Sequence, residues 1–321
     1  MSEASGAPDT DLAGKRVLVT GGAGFIGSHL VRGLLDAGAV VRILDDLSTG
    51  NRKNLIGSEA AELVLGDIRD LATCERACDG IEVVYHEAAI CSVPRSMDDP
   101  ATTIAINVGG TANVFAAART AKVGRIVFAS SSSVFGDCAS LPQCEGDEGT
   151  VQSIYAMTKS MDEDLADTYA RAFGMNIVGL RYFNVFGPRQ DPNGPYAAVV
   201  PRFFDAYRTG QAPTIFGDGS QTRDFIDVRD VVRANLLAGA AAHGGAVAIN
   251  IASGIPTTIG TLARAIGRLC GHPGLEPVLG PARTGDIRHS VAGTDRAVKL
   301  LGFRAERALE DGLAHINACA G

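Results

Sequence analysis

The sequence predicts an α/β fold, a doubly wound parallel sheet with a smaller lobe grown from its carboxyl edge. Short β-branched runs alternate with segments of helical period, the runs are continuously apolar, and the first opens into a glycine cluster followed by an apolar helix. Strands buried on both faces read as unbroken Val/Ile/Leu runs, and strand–helix alternation leads to parallel pairing. A length of 321 residues suits one large α/β unit with an attached lobe.

Taken in order, RVLVT (16–20), VVRIL (40–44), ELVLG (62–66), EVVYH (82–86), RIVFA (125–129) and NIVGL (176–180) read as strands, with helices between them at 25–37, 101–121 and 155–173. Past Leu180 the pattern changes to a Pro- and Gly-rich stretch, a helix at 199–209, a helix at 227–242 and a strand at 247–252 that returns to the main sheet. These patterns divide the chain into a loose tail at 1–14, a sheet domain at 15–184 with 224–252 returning to it, and a substrate-binding lobe at 185–223 and 253–321.

Composition narrows the classes. A net charge of −7 with scattered basic residues argues against nucleic acid as a partner. Seven cysteines without C-x-x-C pairing read as free thiols in a reducing compartment, and Cys74 and Cys78 as packing, with no metal site. The acidic start has no apolar signal region and no stretch reaches membrane-spanning length, so a cytoplasmic protein without a membrane partner is expected.

The segment VLVTGGAGFIGSHLVRGLL (17–35) places Gly21, Gly24 and Gly27, with Phe25 and Ile26, between a buried strand and a helix; Gly22, Gly24 and Gly27 satisfy G-x-G-x-x-G as well. In a Rossmann-type turn such glycines let the backbone approach a pyrophosphate, which meets the positive helix N-terminus. Asp45, at the end of the next strand, is placed to accept the adenosine ribose hydroxyls and so selects NAD over NADP, with neighbouring Asp46 as second candidate. Asp67, followed by Ile68, either reaches the adenine or caps the helix after it.

Four hydroxyls, Ser130 to Ser133, close the fifth strand, and Tyr155 and Lys159 lie one helical turn apart in YAMTK. Glycine cluster, Asp45, NVGGT (107–111), the serine strand end and Tyr155-x-x-x-Lys159 together resemble the extended short-chain dehydrogenases/reductases of the nucleotide-sugar epimerase/dehydratase group. The resemblance runs from about residue 15 almost to the C-terminus. It implies bound NAD and a UDP-sugar substrate. Tyr155 would be the proton acceptor, its pKa lowered by cationic Lys159 and the nicotinamide. Lys159 would also hold the nicotinamide ribose, with Ser131 as proton relay, Ser132 and Ser133 as lesser neighbours, and Asn107 beside the cofactor.

Family dehydratases and decarboxylases carry an acidic residue in the strand-end segment; SSSSV has none, which favours simple 4-epimerisation. The stretch 181–203, including Asn184 and Val199, resembles the substrate segment of UDP-N-acetylglucosamine/UDP-glucose 4-epimerases. Arg223 and Arg283 match diphosphate-binding positions, with Asp286 in the same segment as Arg283. Ser290 stands where sugar-restricted members carry a bulky Tyr, leaving room for an N-acetyl group, and Ser92 and Val93 border the expected sugar pocket. UDP-glucuronate epimerases and nucleotide-sugar dehydratases are the enzymatic alternatives, and a non-catalytic NAD-binding scaffold is the distant one.

Two residues depart from the family pattern. Glu87 replaces an apolar residue and needs a partner or solvent, and Phe135 replaces a Tyr. His86 reads as packed or hydrogen-bonded and His29 as structural. Helices 101–121 and 155–173 are apolar on more than one face, and the resemblance implies that they pair across a homodimer.

Overall fold

The computed structural model describes residues 12–192, 197–282 and 287–319. Its strands are β1 Arg16–Thr20, β2 Val40–Asp45, β3 Glu62–Leu65, β4 Val83–His86, β5 Arg125–Ser131, β6 Ile177–Tyr182, β7 Asn184–Phe186, β8 Thr214–Phe216, β9 Thr222–Asp227, β10 Ala246–Ile251, β11 Pro256–Thr258 and β12 Val278–Gly280. The helices are α1 Phe25–Asp36, α2 Leu71–Cys78, α3 Val93–Asp98, α4 Pro100–Ile104, α5 Thr111–Thr120, α6 Ile154–Phe173, α7 Val199–Arg208, α8 Val228–Ala240, α9 Ile259–Leu269, α10 Asp295–Leu301 and α11 Leu309–Ala318.

Seven strands form the parallel sheet in the order β10-β6-β5-β4-β1-β2-β3. The chain runs outward from β1 to β3 and then starts again at β4, on the other side of β1. That reversal opens a crevice at the carboxyl ends of β1 and β4, where ligands of such sheets bind. One face buries Leu30, Leu34, Val231 and Ala234 of α1 and α8; the other buries Val114, Phe115 and Ala166 of α5 and α6. A third apolar cluster, with Phe203, Phe204, Leu262 and Leu313, forms the core of the smaller lobe.

The helix expected over 101–121 is interrupted. Ala105–Gly110 form a π turn between α4 and α5. Two causes lie in the sequence. A Cβ on Gly110 would overlap the Ile68 side chain, and Asn107 is pulled aside to hold the backbone of Ile90, accepting from its N–H (2.8 Å) and donating to its carbonyl (3.1 Å). Helix α6 runs unbroken, capped at its start by the Ser153 hydroxyl (3.1 Å from Ala156 N) and ended by Gly174 in the left-handed region.

The lobe is fastened to the sheet through Asp224 of β9, which is fully buried. Its carboxylate accepts from Ser253 N (2.9 Å), Ser253 Oγ (2.6 Å), Gly254 N (2.9 Å) and Ala292 N (3.2 Å), so one side chain pins two distant segments. Replacing an acceptor that satisfies several buried donors leaves those donors unpaired. Asp224→Ala is expected to cost roughly 2–4 kcal/mol, read as a lower urea midpoint; an unchanged midpoint would contradict this account of the lobe.

Candidate active site

The cofactor end is built from backbone. Gly21 has φ +68°, and a Cβ there would lie 2.7 Å from Ala88 N, so both conformation and space require glycine. A Cβ on Gly27 would overlap the Gly21 carbonyl oxygen. With Gly24 as N-cap, the turn brings the start of α1, Phe25 and Ile26 included, to the floor of a cavity of about 470 Å³. Side chains on these glycines would fill the cradle that a pyrophosphate needs.

Asp45 ends β2 at the same cavity, accepting from Ala23 N (2.9 Å) and Leu47 N (2.8 Å). Burial holds its carboxyl above the ordinary range, and the two amides partly offset this. Asp46 also lines the cavity but is exposed, its carboxylate accepting from Ser48 N and Oγ. Asp67 and Ile68 line the opposite wall. The Arg69 guanidinium, 2.6 Å from Asp67, holds that carboxyl below the usual range. The cap of α2 is Asp70 and not Asp67, which removes the capping alternative for Asp67.

At the other end of this cavity, β5 brings Ser131 and Ser132 beside Tyr155 and Lys159. Ser131 lies beside Tyr155, and Lys159 Nζ donates to Ala129 O (2.8 Å) and to Asp162 Oδ2 (3.3 Å). The expected depression of Tyr155 is not built into the chain itself. Burial, reinforced by Cys91, Asp162 and Glu87, pushes the phenol up, and the neighbouring Ser131 hydroxyl offsets only part of this. The Lys159 ammonium is itself paired with buried Asp162, whose own carboxyl is pushed up to about 6 by burial.

Two sequence expectations change here. Asn107 does not line the cavity; it clamps Ile90 and donates to Thr158 Oγ1 (3.0 Å), fixing α6 against the loop after β4. Ser133 also faces away, its hydroxyl buried without a partner among the described residues.

The departures from the family pattern find places. Glu87 points inward, accepting from the Tyr182 hydroxyl (2.8 Å), and burial pushes its carboxyl up to about 7. Phe135 is fully buried with the Arg181 guanidinium 5.1 Å from its ring centroid, a setting that needs no hydroxyl. His86 bridges Thr20 (2.6 Å) and Thr111 (2.9 Å) and is held neutral by burial, its pKa lowered to about 3. His29 hydrogen-bonds the Pro188 carbonyl, a structural contact. Glu163 escaped the sequence reading; it receives Ser130 Oγ (2.5 Å) and Arg181 Nε (2.9 Å), and its position four residues past Lys159 was the available signal.

A second cavity, of about 580 Å³, lies in the smaller lobe and is lined by Asn184, Val199, Phe216, Gln221 and Arg223. Asn184 lines both cavities, with its amide donating to Asp224 O (3.1 Å). Arg283 and Asp286 lie outside the described residues. Ser92 and Val93 line neither cavity: the Ser92 hydroxyl caps α3, and Val93 faces outward. Ser290 lines neither; it is buried, donating to Gln143 Oε1 (2.9 Å).

Comparison with known proteins gives the same assignment. The model of the NAD dependent epimerase/dehydratase family matches residues 17–252. A UDP-glucose 4-epimerase of Mycolicibacterium smegmatis is 41% identical over 304 residues, covering 93% of this chain and 96% of its own. The structure of a UDP-N-acetylglucosamine 4-epimerase from Methanobrevibacter ruminantium, in complex with UDP-N-acetylmuramic acid, superposes with a TM-score of 0.91 at 35% identity, covering 95% of this chain and 98% of that one. The Thermus thermophilus UDP-glucose 4-epimerase in complex with NAD superposes at 0.85 with 32% identity, covering 94% and 98%. The glycine cradle, Asp45 and the Tyr155–Lys159 end fit that cofactor, and the chain belongs to the NAD-dependent epimerase/dehydratase family, with NAD as its cofactor.

Proposed function

We propose that the protein is a 4-epimerase of UDP-hexoses, acting on UDP-N-acetylglucosamine/UDP-N-acetylgalactosamine and also on UDP-glucose/UDP-galactose. The observation that supports it most is the reacting end of the cavity: Ser131 beside Tyr155, Lys159 one turn along, and a strand end, Ser130–Ser133, with hydroxyls only. A dehydratase or decarboxylase needs a further proton-moving or positioning group there. The carboxylate on the adjacent strand, Glu87, is engaged by Tyr182.

In this reading the backbone of Gly21 to Gly27 and the start of α1 hold the cofactor pyrophosphate, while Asp45 accepts the adenosine ribose hydroxyls. NAD supplies a hydride acceptor that later returns the same hydride. Tyr155 takes the proton of the sugar 4-hydroxyl through a bond shared with Ser131, leaving a 4-keto sugar. Lys159 would hold the nicotinamide ribose, and the cationic ring would favour the phenolate. After the keto sugar turns over, Tyr155 returns the proton to the 4-oxygen as the hydride adds to the other face. Substrate and product have the same mass, and no net oxidation occurs. Asn184, Val199 and Arg223 would hold the nucleotide portion in the second cavity, with Arg283 and Asp286.

The N-acetylated sugar is proposed on likeness to the Methanobrevibacter protein and on the small side chain at Ser290. Because Ser290 turns toward Gln143, likeness carries more of that weight. A homodimer is also part of the proposal: Ile104 on α4 and Met161 on α6 are 36% and 41% exposed on two helices that pack together, an apolar face suited to a two-fold mate.

Purified protein incubated with UDP-N-acetylglucosamine or UDP-glucose, without added NAD, is expected to interconvert each with its 4-epimer by proton NMR. Tyr155→Phe should reduce the rate by about 10²–10⁴-fold with the fold intact. Turnover of UDP-glucose alone would remove the N-acetyl part of the proposal, and products of lower mass would replace epimerisation by dehydration or decarboxylation. For the dimer, sedimentation of the native chain should give twice the chain mass, and Ile104→Asp/Met161→Asp should shift it to the monomer; a native monomer at micromolar concentration overturns that part.

A further inference from the structure

Glu87 directly follows β4, beside the reversal point of the sheet. Its Oε1 accepts from the Tyr182 hydroxyl (2.8 Å), which itself accepts from Asn235 Nδ2 (2.8 Å). The carboxylate is thus held through Oε1 by β6 and α8, with Oε2 as its second oxygen, and Glu87 lines the cavity shared with Tyr155 and Lys159. That second oxygen has no hydrogen-bond donor among the described residues.

The cavity has two distinguishable ends. Asp45 marks the adenosine end. Because the hydride must leave the carbon whose hydroxyl proton Tyr155 takes, the reactive ring belongs at the Tyr155 end. Glu87 lies at that end: it is hydrogen-bonded to Tyr182, whose register partner on β5 is Ser131, and the Lys159 ammonium pulls its carboxyl down while its own charge pushes Tyr155 and Cys91 up. The titratable and charged groups facing it are therefore Tyr182 from β6, Lys159 and Tyr155 from α6, and Cys91 from the loop after β4.

We propose that Glu87 is a counter-charge for the nicotinamide, ionised while the ring is cationic and protonated from solvent once hydride transfer has made the ring neutral. The group thereby favours bound NAD over bound NADH and keeps the cofactor oxidised between turnovers. This inference rests on NAD as the cofactor and is independent of which sugar is the substrate.

The sign follows from linkage. Burial leaves the Glu87 carboxyl at about 7 without a neighbouring cation on the ring. A cationic ring lowers that value in the complex, so NAD binding releases a proton near neutrality. NAD affinity accordingly rises as pH increases through about 7 and is lost as pH falls. A neutral ring gives no such gain to NADH.

Calorimetric titration of the nucleotide-free chain with NAD and with NADH, in two buffers of different ionisation enthalpy, tests this. For the native chain the preference for NAD over NADH should be about tenfold greater near pH 8 than near pH 6, with proton release on NAD binding only. Glu87→Gln retains the acceptor for Tyr182 and should show a pH-independent preference and no proton release, while Glu87→Asp should restore part of both. A flat native preference, or a pH dependence that survives in Glu87→Gln, overturns the inference even where both nucleotides bind. If Glu87→Gln does not fold, Glu87→Asp carries the comparison: a pH dependence unchanged from the native chain overturns the inference, as does a flat native preference. Native protein that binds neither nucleotide would overturn the cofactor assignment and this inference with it.

Discussion

The catalytic end of this protein depends on one buried ion pair, Arg181 with Glu163. Arg181 is the last residue but one of β6, and Glu163 sits on α6, one turn past Lys159; Nε and one terminal nitrogen reach the carboxylate at 2.9 and 2.7 Å. The same carboxylate accepts Ser130 Oγ of β5 at 2.5 Å, and Arg181 also pairs with Glu148. A helix and two adjacent strand ends are therefore tied at one point. Tyr155 and Lys159 hang from that helix, and Ser131 follows Ser130 on that strand. Burying such charges is costly unless each is fully paired, which is why Arg181 takes two carboxylates and stacks over Phe135. The desolvation cost secures placement of the hydroxyls more than it secures stability.

Around this anchor the strand ends sort polar groups by the pleat. His86, the last residue of β4, is held between Thr20 at the end of β1 and Thr111 at the start of α5, while the next residue, Glu87, faces the opposite side, toward Tyr182 and Asn235. Lys159, with Asp162 and the Ala129 carbonyl, completes a charge set in which one ammonium sits among buried acids. Burial leaves Tyr155 and Glu87 above their ordinary values, and a cationic ring would move both downward. Proton affinity at this end is thus coupled to the charge of the cofactor.

The smaller lobe meets this end through shared residues. Asn184 opens β7 directly after the last residues of β6, lines both cavities and binds the backbone of Asp224. Asp224 in turn gathers Ser253, Gly254 and Ala292, so hydrogen bonds connect the wall of the second cavity with the segment that follows β10 of the main sheet. In the proposed reading, a nucleotide portion in one cavity would thereby be registered against the reacting groups of the other.

Much of this was legible in the sequence because the signals are local. Unbroken apolar runs specify strands buried on both faces, a glycine cluster between strand and helix specifies the turn, and Tyr155 and Lys159 share a helix face by a spacing of four. What the linear pattern could not decide is where a polar side chain finds its partner. Asn107 and Ser290 sit in segments that read as ligand-facing, yet they satisfy Ile90 with Thr158, and Gln143, because a buried amide or hydroxyl goes to the partner that packing brings nearest. Glu87 stayed ambiguous between solvent and interior until Tyr182, 95 residues away, closed the hydrogen bond. Composition, periodicity and motif spacing by themselves determined the parallel sheet, the cofactor turn and the Tyr–Lys pair. Only the tertiary structure decided the electrostatic setting of that pair, since desolvation and charge are summed over groups that the chain brings together from five separate strand and helix ends.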